Sequence, residues 1–282
     1  MHACNTNVIS ADYFTTHNSP YLTLIATPVS LYYETTEQKA SPLLVVNPEN
    51  SSRAVIRFLN LYGTQTCVAI GELEFRDNTL ILSSGEREWE SPTTATINVD
   101  RAFKGSPKEI SLAVASHFWQ RSDGAILIKE TQTDYYYYNQ AVVAMPLASY
   151  VNIPVIVTDV VDERVAAVLK GLGVKYSLVC GDMSGYGLTK RFATVEEIQD
   201  WTIAVVKQRL GSSVSYITMT NPLDIYRPRV LNTNVPFDPP IFIKCKLFFS
   251  VYVDKTSSEH STVNFIINFK KYFFDFFIII FR

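Results

Sequence analysis

The sequence has little of the charge and histidine from which reactive or charge-driven sites are built. Charged residues make up 18% of the 282 positions, against about 25% in ordinary soluble proteins, and the net charge is −2. This balance argues against a nucleic-acid partner, because phosphate recognition depends on surplus lysine and arginine. Of the four histidines, His117 alone lies away from the two ends. It falls in a predicted helix, and we expect it on the helix surface or at the edge of the core rather than as a general base.

The motifs of metal, cofactor and nucleophile sites are missing too. The four cysteines are widely spaced and form no Cys-x-x-Cys pair, and Cys67 and Cys180 fall inside predicted buried strands. No Gly-x-Gly-x-x-Gly loop follows the first strand, and no Walker lysine or Gly-x-Ser-x-Gly elbow occurs. We therefore expect no metal, no cofactor and no enzymatic activity.

Membrane and export signals are equally scarce. No apolar run reaches the roughly 18 residues that a membrane-spanning helix requires. The first 20 residues have neither the basic nor the apolar region of a signal peptide, so we predict none in this chain. The hydrophobic content of 47% is ample for a buried core.

A strand–helix–strand order occurs twice along the chain. The predicted elements are 42–46, 53–62 and 67–72 in the first half and 154–158, 162–172 and 177–182 in the second. Gly63 and Gly173 end the two helices, and Gly71 and Gly181 follow at the same spacing. Agreement of order and stop residues indicates an internal duplication.

The match continues further along each half. Ser106 with Glu109, and Thr194 with Glu197, have the spacing of a capping box. Each box opens an amphipathic helix that leads to a third predicted strand; the helices are 110–120 and 198–210, and the strands are 125–129 and 215–220. Between the halves, residues 139–151 are apolar on nearly all sides and predict a buried crossover helix.

These elements predict an α/β fold. Six strands rich in valine and isoleucine, alternating with helices, favour a Rossmann-like parallel sheet built from two duplicated βαβαβ halves. Two small three-stranded sheets packed side by side are the alternative. Residues 73–100 alternate in polarity around Asp77 and Asn78, and predict a β-hairpin inserted outside the parallel sheet.

The predicted domain organisation follows from this frame. It comprises an N-terminal extension at 1–40, a first half at 41–130, a crossover helix with the second half at 131–225, and a C-terminal extension at 226–282. Residues 241–282 contain no Ala, Gly or Pro but ten of the seventeen Phe. This segment is interpreted either as strands at 241–253 and 262–269 or as a non-native tail, such as a frame-shifted end.

Polar residues at the predicted strand ends are the candidate ligand rim, because open α/β sheets bind ligands beyond the carboxyl ends of their strands. They are Asn47, Glu72, Glu130, Asp159, Asp182 and Asn221. The alternative interpretation is that they cap helices and close turns. The four tyrosines at 135–138 are interpreted either as an exposed aromatic platform or as a loop packed on the sheet edge.

Residues 141–159, AVVAMPLASYVNIPVIVTD, resemble the cell wall-binding repeat 2 family, in which an alanine-rich helix carrying Pro-Leu-Ala precedes Pro and an aliphatic strand. The resemblance covers about 106–221, and residues 41–72 look like a diverged extra copy. It implies a Rossmann-like, non-enzymatic module of extracellular or cell-surface proteins. In bacterial members such modules attach proteins to anionic wall polymers, and related stretches resemble parts of archaeal surface proteins.

Three functional hypotheses follow. The first is a non-catalytic surface-associated module that binds an envelope polymer or a partner protein. The second is a small-ligand or nucleotide-binding enzyme with its site at the strand carboxyl ends. The third is a two-lobed ligand-binding protein with a hinge near residues 131–153.

Overall fold

The computed structural model describes residues 12–15, 19, 21–35, 37–46, 53–84, 93–130, 135–210, 216–220 and 277–281. The helices are α1 Tyr21–Ser30, α2 Arg53–Tyr62, α3 Pro107–Phe118, α4 Tyr135–Val151, α5 Glu163–Gly171 and α6 Val195–Leu210. The strands are β1 Asp12–Thr15, β2 Leu31–Glu34, β3 Glu37–Ala40, β4 Leu43–Val45, β5 Thr66–Ile70, β6 Thr79–Ser83, β7 Thr94–Phe103, β8 Gly124–Ile128, β9 Val155–Val157, β10 Tyr176–Cys180, β11 Leu188–Arg191, β12 Tyr216–Thr220 and β13 Phe277–Phe281.

The strands form two principal sheets. The first has five strands in the order β4-β1-β5-β7-β6, and the second has four in the order β11-β10-β8-β9. All neighbours pair in parallel except β6, which runs antiparallel to β7. The predicted α/β class with parallel pairing is confirmed. The strands lie in two principal sheets rather than one. The predicted alternative also had two sheets, but with three strands each instead of five and four.

The two sheets repeat one topology, so the predicted duplication is confirmed. In the first unit, β1 lies between β4 and β5; in the second, β8 lies between β9 and β10. The first unit comprises β1, α1, β4, α2, β5, β7 and α3, and the second comprises β8, α4, β9, α5, β10, β11 and α6. The registers agree as well: the partner pairs are Tyr13–Leu43 and Tyr13–Val68 in the first unit, and Ile126–Val155 and Ile126–Leu178 in the second.

The repeat begins at a different place from the predicted one. Residues 125–129, predicted as the third strand of the first half, form β8 at the centre of the second sheet. The predicted extension at 1–40 supplies β1 and α1 to the first unit. The hairpin β2–β3 is inserted between α1 and β4, and this insertion hides the correspondence with α4 and β9 in the sequence. As a domain boundary, residue 130 stays a prediction.

The segment 73–100 also differs from its predicted role. The turn at Asp77 and Asn78 is confirmed: both residues have positive φ, 47° and 57°, which a tight hairpin turn requires. However, β6 pairs with β7, and β7 pairs in parallel with β5. The insert therefore extends the first sheet instead of lying outside it.

The predicted strand at 215–220 forms β12, which pairs antiparallel with β13 and not with the second sheet. The fourth strand of the second sheet is β11, which the sequence did not indicate. The strands predicted at 241–253 and 262–269 lie outside the described residues. Among the described helices, none has both the length and the apolar character needed to cross a membrane.

Helix ends are built alike in both units. The N–H of Thr64 donates to the Leu59 carbonyl at 3.1 Å, and the N–H of Val174 donates to the Leu169 carbonyl at 2.9 Å. Gly63 and Gly173 have φ of 77° and 73°, which lets the chain reverse after each helix. Leu59 and Leu169 thus occupy equivalent positions, and so do their neighbours along α2 and α5.

One buried cluster runs through both units. It includes Ile25 of α1, Ile110 of α3, Tyr138 of α4 and Ile156 of β9, all at most 1% exposed. Helices α1 and α3 each contact strands of both sheets. Because α4 lies inside this shared core, the structure argues against two separable lobes with a hinge at 131–153.

A smaller contact joins the hairpin to the second unit. Tyr33 of β2 stacks on Tyr150 of α4, with ring centroids 4.9 Å apart. Val206 of α6 completes this buried cluster. The hairpin therefore fixes the first unit against two helices of the second.

Candidate functional site

The candidate rim is divided between two sheet edges. Glu72 follows β5 at the edge of the first sheet, whereas Glu130, Asp159 and Asp182 follow β8, β9 and β10 at the edge of the second. These three come to one edge because their strands are neighbours and parallel. Asn47 and Asn221 lie outside the described residues. Whether any of these residues binds a ligand stays a prediction.

The Asp182 carboxylate is engaged by the neighbouring strand. Arg191, at the end of β11, places Nη1 2.9 Å from Asp182 Oδ1, and its Nη2 donates to the Met183 carbonyl at 2.6 Å. Both acceptors lie in the turn that leaves β10. This guanidinium therefore ties the turn to the edge strand, and Asp182 serves the local fold.

Lys129 lies over the same turn. Its Nζ donates to the Asp182 carbonyl at 3.1 Å. Gly181 has φ of 124°, and a Cβ at that position would lie 2.5 Å from Lys129 Cβ. Glycine is required here on both counts, because a side chain would be strained and would collide with the lysine. The lysine and Arg191 make this part of the edge basic.

Glu130 and Asp159 form the acidic part of the edge. Half-burial raises the pKa of the Glu130 carboxyl, and the charge of Asp159 raises it further. Asp159 itself is exposed. A carboxyl group with a raised pKa beside a second carboxylate is suited to holding a proton or contacting a cationic group. Within the described residues, no cluster of three or more metal-ligating side chains is present.

The first sheet uses the equivalent position in the same structural way. The Gly105 N–H donates to Glu72 Oε1 at 3.0 Å, which joins the turn after β5 to the turn after β7. Glu72 and Asp182 each follow a glycine of positive φ, 112° at Gly71 and 124° at Gly181. In both units the acidic residue after the glycine therefore joins its own turn to a neighbouring part of the sheet edge, the turn after β7 for Glu72 and the end of β11 for Asp182.

The remaining candidates for chemistry are placed in the core or on helix surfaces. Cys67 and Cys180 are buried, as predicted, and burial raises the pKa of the Cys180 thiol to about 12. His117 lies on α3 against the Phe103 ring, with centroids 5.6 Å apart. Partial burial lowers the pKa of His117, and the nearby Arg101 lowers it further.

The tyrosine run differs from its interpretation as a loop. Residues 135–138 form the first turn of α4. Tyr138 is 0% exposed and meets Tyr21 of α1 edge-on, with ring centroids 5.7 Å apart. Its i, i+3 and i, i+4 relation to Ala141 and Val142 is the sequence signal that would have placed it in the core.

Two residues of the second edge were missed from the sequence. Lys129 directly precedes Glu130, so its place after a strand was available as a signal. Arg191 is the last residue of β11, in which Lys190 is half-buried and the other three residues are exposed. This strand carries no apolar pattern, so no sequence signal indicated Arg191.

No known protein family matches the chain, and no curated protein does either. Among solved structures, Cwp6 from Clostridium difficile is similar, with a TM-score of 0.39 and 11% sequence identity. The alignment covers 67% of this chain and 27% of that one, so the chain spans about a quarter of the length of Cwp6. A TM-score of 0.39 carries no argument about this chain. The resemblance to the cell wall-binding repeat 2 family stays a prediction.

Proposed function

We propose that the protein is a non-catalytic, surface-associated module that binds an envelope polymer or a partner protein. The observation that carries this proposal is the use of the strand-end acids in both units. Glu72 accepts a backbone N–H, and Asp182 is paired with Arg191. In α/β enzymes these positions hold substrate or cofactor, whereas here they secure turns.

The chemistry of the described core supports the same proposal. Cys180, with its pKa raised to about 12, is a packing residue and not a nucleophile. His117 contacts the rings of Phe103 and Phe118, so it packs on aromatic side chains at the surface of α3. The duplicated units would then present two related surfaces for binding.

The experiment is a co-sedimentation assay with isolated cell envelopes. The purified full chain should pellet with the envelopes. A sample that has been unfolded in urea beforehand should stay in the supernatant. Protease-treated envelopes and envelopes stripped of their polymers are the two arms: loss of binding after one treatment identifies the class of partner. A chain that stays in the supernatant with intact bacterial and archaeal envelopes would overturn the proposal.

A second candidate function, a small-ligand or nucleotide-binding enzyme, is favoured by one observation, the raised pKa of Glu130 beside Asp159. It predicts that a nucleotide or metabolite raises the melting temperature of the chain. Asp159→Asn should remove that shift, and Asp200→Asn, on the exposed surface of α6, should leave it unchanged. A panel that produces no shift would reject this candidate.

A further inference from the structure

Inside the chain, α3 covers one edge of the second unit. The N–H of Val157, in edge strand β9, donates to Ser111 Oγ at 3.1 Å. Lys108 pairs with Asp162 at the start of α5, 2.5 Å apart, and the N–H of Ser122 donates to the carbonyl of Leu172. The α3 segment therefore runs along β9 and beside α5 from one end to the other.

The equivalent edge of the first unit is exposed. By strand register, Val45 of β4 corresponds to Val157, and by the matched helix ends Tyr62 corresponds to Leu172. Val157 and Leu172 are 0% and 5% exposed, whereas Val45 and Tyr62 are 47% and 59% exposed. Phe58 is 38% exposed and stacks on Tyr62, with ring centroids 5.2 Å apart. We call Val45, Phe58 and Tyr62 the open face.

The helix equivalent to α3 is α6. Glu109 and Glu197 stand at the same position, each with its N–H bonded to the cap hydroxyl three residues earlier. Ala115, one turn after Ser111, is 0% exposed against the shared core, whereas the equivalent Ile203 is only half-buried. Helix α6 thus has a side that matches the covering side of α3 and is partly open to solvent.

We propose that α6 of one chain docks on the open face of a second copy of the same chain, as α3 docks on the second unit. The interface already present within the chain supports this occupant, because there the second unit binds the last helix of the first unit. The charges of the two helices are complementary. Helix α2 contains Arg53 and Arg57 and no acidic residue, and the first turns of α6 contain Glu196, Glu197 and Asp200.

This association needs no ligand and so stands apart from the proposed function. The contact is head-to-tail: one copy contributes α6 and the other contributes β4 and α2. Such a heterologous contact leaves one face of each kind unpaired in a dimer, so further copies can add to form a closed ring or an open array. Association should weaken with salt, because it joins the basic helix α2 to the acidic first turns of α6.

The test is sedimentation velocity of the full chain over a range of concentrations. The unchanged chain should show a mass that rises with concentration. Val45→Glu removes the open face and Ile203→Glu removes the α6 face, so each variant alone should sediment as a monomer. A mixture of the two should form a heterodimer and nothing larger, because one intact face of each kind remains.

Controls separate this result from general effects on the surface. Two variants should associate as the unchanged chain does. One is Leu188→Glu, at a residue of β11 that is 79% exposed. The other is Trp201→Ala: Trp201 is 40% exposed and lies on the side of α6 that corresponds to exposed Ala113 of α3. Because Ile203 is half-buried, Glu196→Arg on the exposed first turn is the second α6 variant and should lower the association constant. Circular dichroism melts show which variants remain folded.

Three outcomes overturn the proposal. The first is an unchanged chain that stays monomeric at every concentration, as it would if its own C-terminal residues covered the open face. The second is association of the unchanged chain that Val45→Glu leaves intact. The third is a mixture of Val45→Glu and Ile203→Glu that fails to form heterodimers.

Discussion

The two units share one topology and differ in how their sheet edges are finished. The first carries two additions, the hairpin β2–β3 and the strand β6, but leaves Val45 of its edge strand β4 exposed. The second has neither addition, yet its edge strand β9 is covered by α3 of the first. The same arrangement of strands and helices is thus stabilised by its own insertions in one copy and by its neighbour in the other.

The largest effect should come from the glycine after β10. Gly181→Ala combines a φ of 124° with a Cβ that would lie 2.5 Å from Lys129 Cβ. We expect it to lower the free energy of unfolding by about 2–4 kcal/mol. Gly173→Ala has a positive φ but no contact closer than 3.9 Å, and should cost about 1 kcal/mol. Urea unfolding measures both, and equal losses would contradict the role of the Lys129 contact.

The next effect tests the contact between the units. Ser111→Ala removes the acceptor of the buried Val157 N–H and should cost about 1–3 kcal/mol. Ser116→Ala, on the exposed side of the same helix, is the matched control and should change stability by less than about 0.5 kcal/mol. In hydrogen exchange, the Val157 amide should lose protection only in Ser111→Ala. Unchanged protection would show that α3 does not secure this edge.

Helix caps should distinguish the units less strongly. At α3 the capping box is complete: Ser106 Oγ accepts the Glu109 N–H, and the Glu109 carboxylate accepts the Ser106 N–H. At α6 the Thr194 hydroxyl accepts the Glu197 N–H, but the Glu197 carboxylate accepts the N–H of Ala193 and pairs with Lys190. Ser106→Ala should therefore cost about 1 kcal/mol, and Thr194→Ala should cost less, as thermal melts would show. The reverse order would mean that the additional bond from the Ser106 hydroxyl to the Glu109 carboxylate contributes nothing.

The smallest effect concerns the acidic edge, which has no described counterpart in the first unit. The pKa of Glu130 is raised, so its charged form is disfavoured in the folded state. Its contribution to the free energy of unfolding therefore falls as the pH rises from the unfolded pKa, about 4.3, through the higher folded pKa. Glu130→Gln should raise the melting temperature at neutral pH and make no difference below pH of about 4. A lower melting temperature of Glu130→Gln at neutral pH would show instead that a cationic group in the folded chain stabilises the Glu130 carboxylate.

Local parts of the fold were predictable because their causes are local. Gly63 and Gly173 end helices through positive φ, and Ser106 begins one through its hydroxyl, so each can be read over a few residues. The division into two sheets depends on pairing between distant strands, and no local pattern specifies it. Strand β1 is also short and begins with Asp12, so a segment at the centre of the first sheet resembled a polar extension.

The candidate site was predictable to the same extent as the fold: its local features could be predicted, and its long-range contacts could not. Glu72, Glu130, Asp159 and Asp182 follow strands as expected, because carboxyl ends of parallel strands share an edge. Which of them share that edge depends on sheet membership, and this separates Glu72 from the other three. Asp182 pairs with Arg191 in β11, a strand without an apolar pattern, so no local feature of the sequence indicated this ion pair.

The stacking of Tyr33 on Tyr150, with Val206 beside it, has a consequence for synthesis of the chain. The hairpin is translated early, whereas Tyr150 in α4 is made only with the second unit and Val206 in α6 comes near the end of that unit. Until α4 has been made, the Tyr33 ring lacks the ring on which it stacks. The packing of the hairpin is therefore completed late, and a nascent chain halted before α4 leaves an aromatic strand accessible to chaperones and proteases.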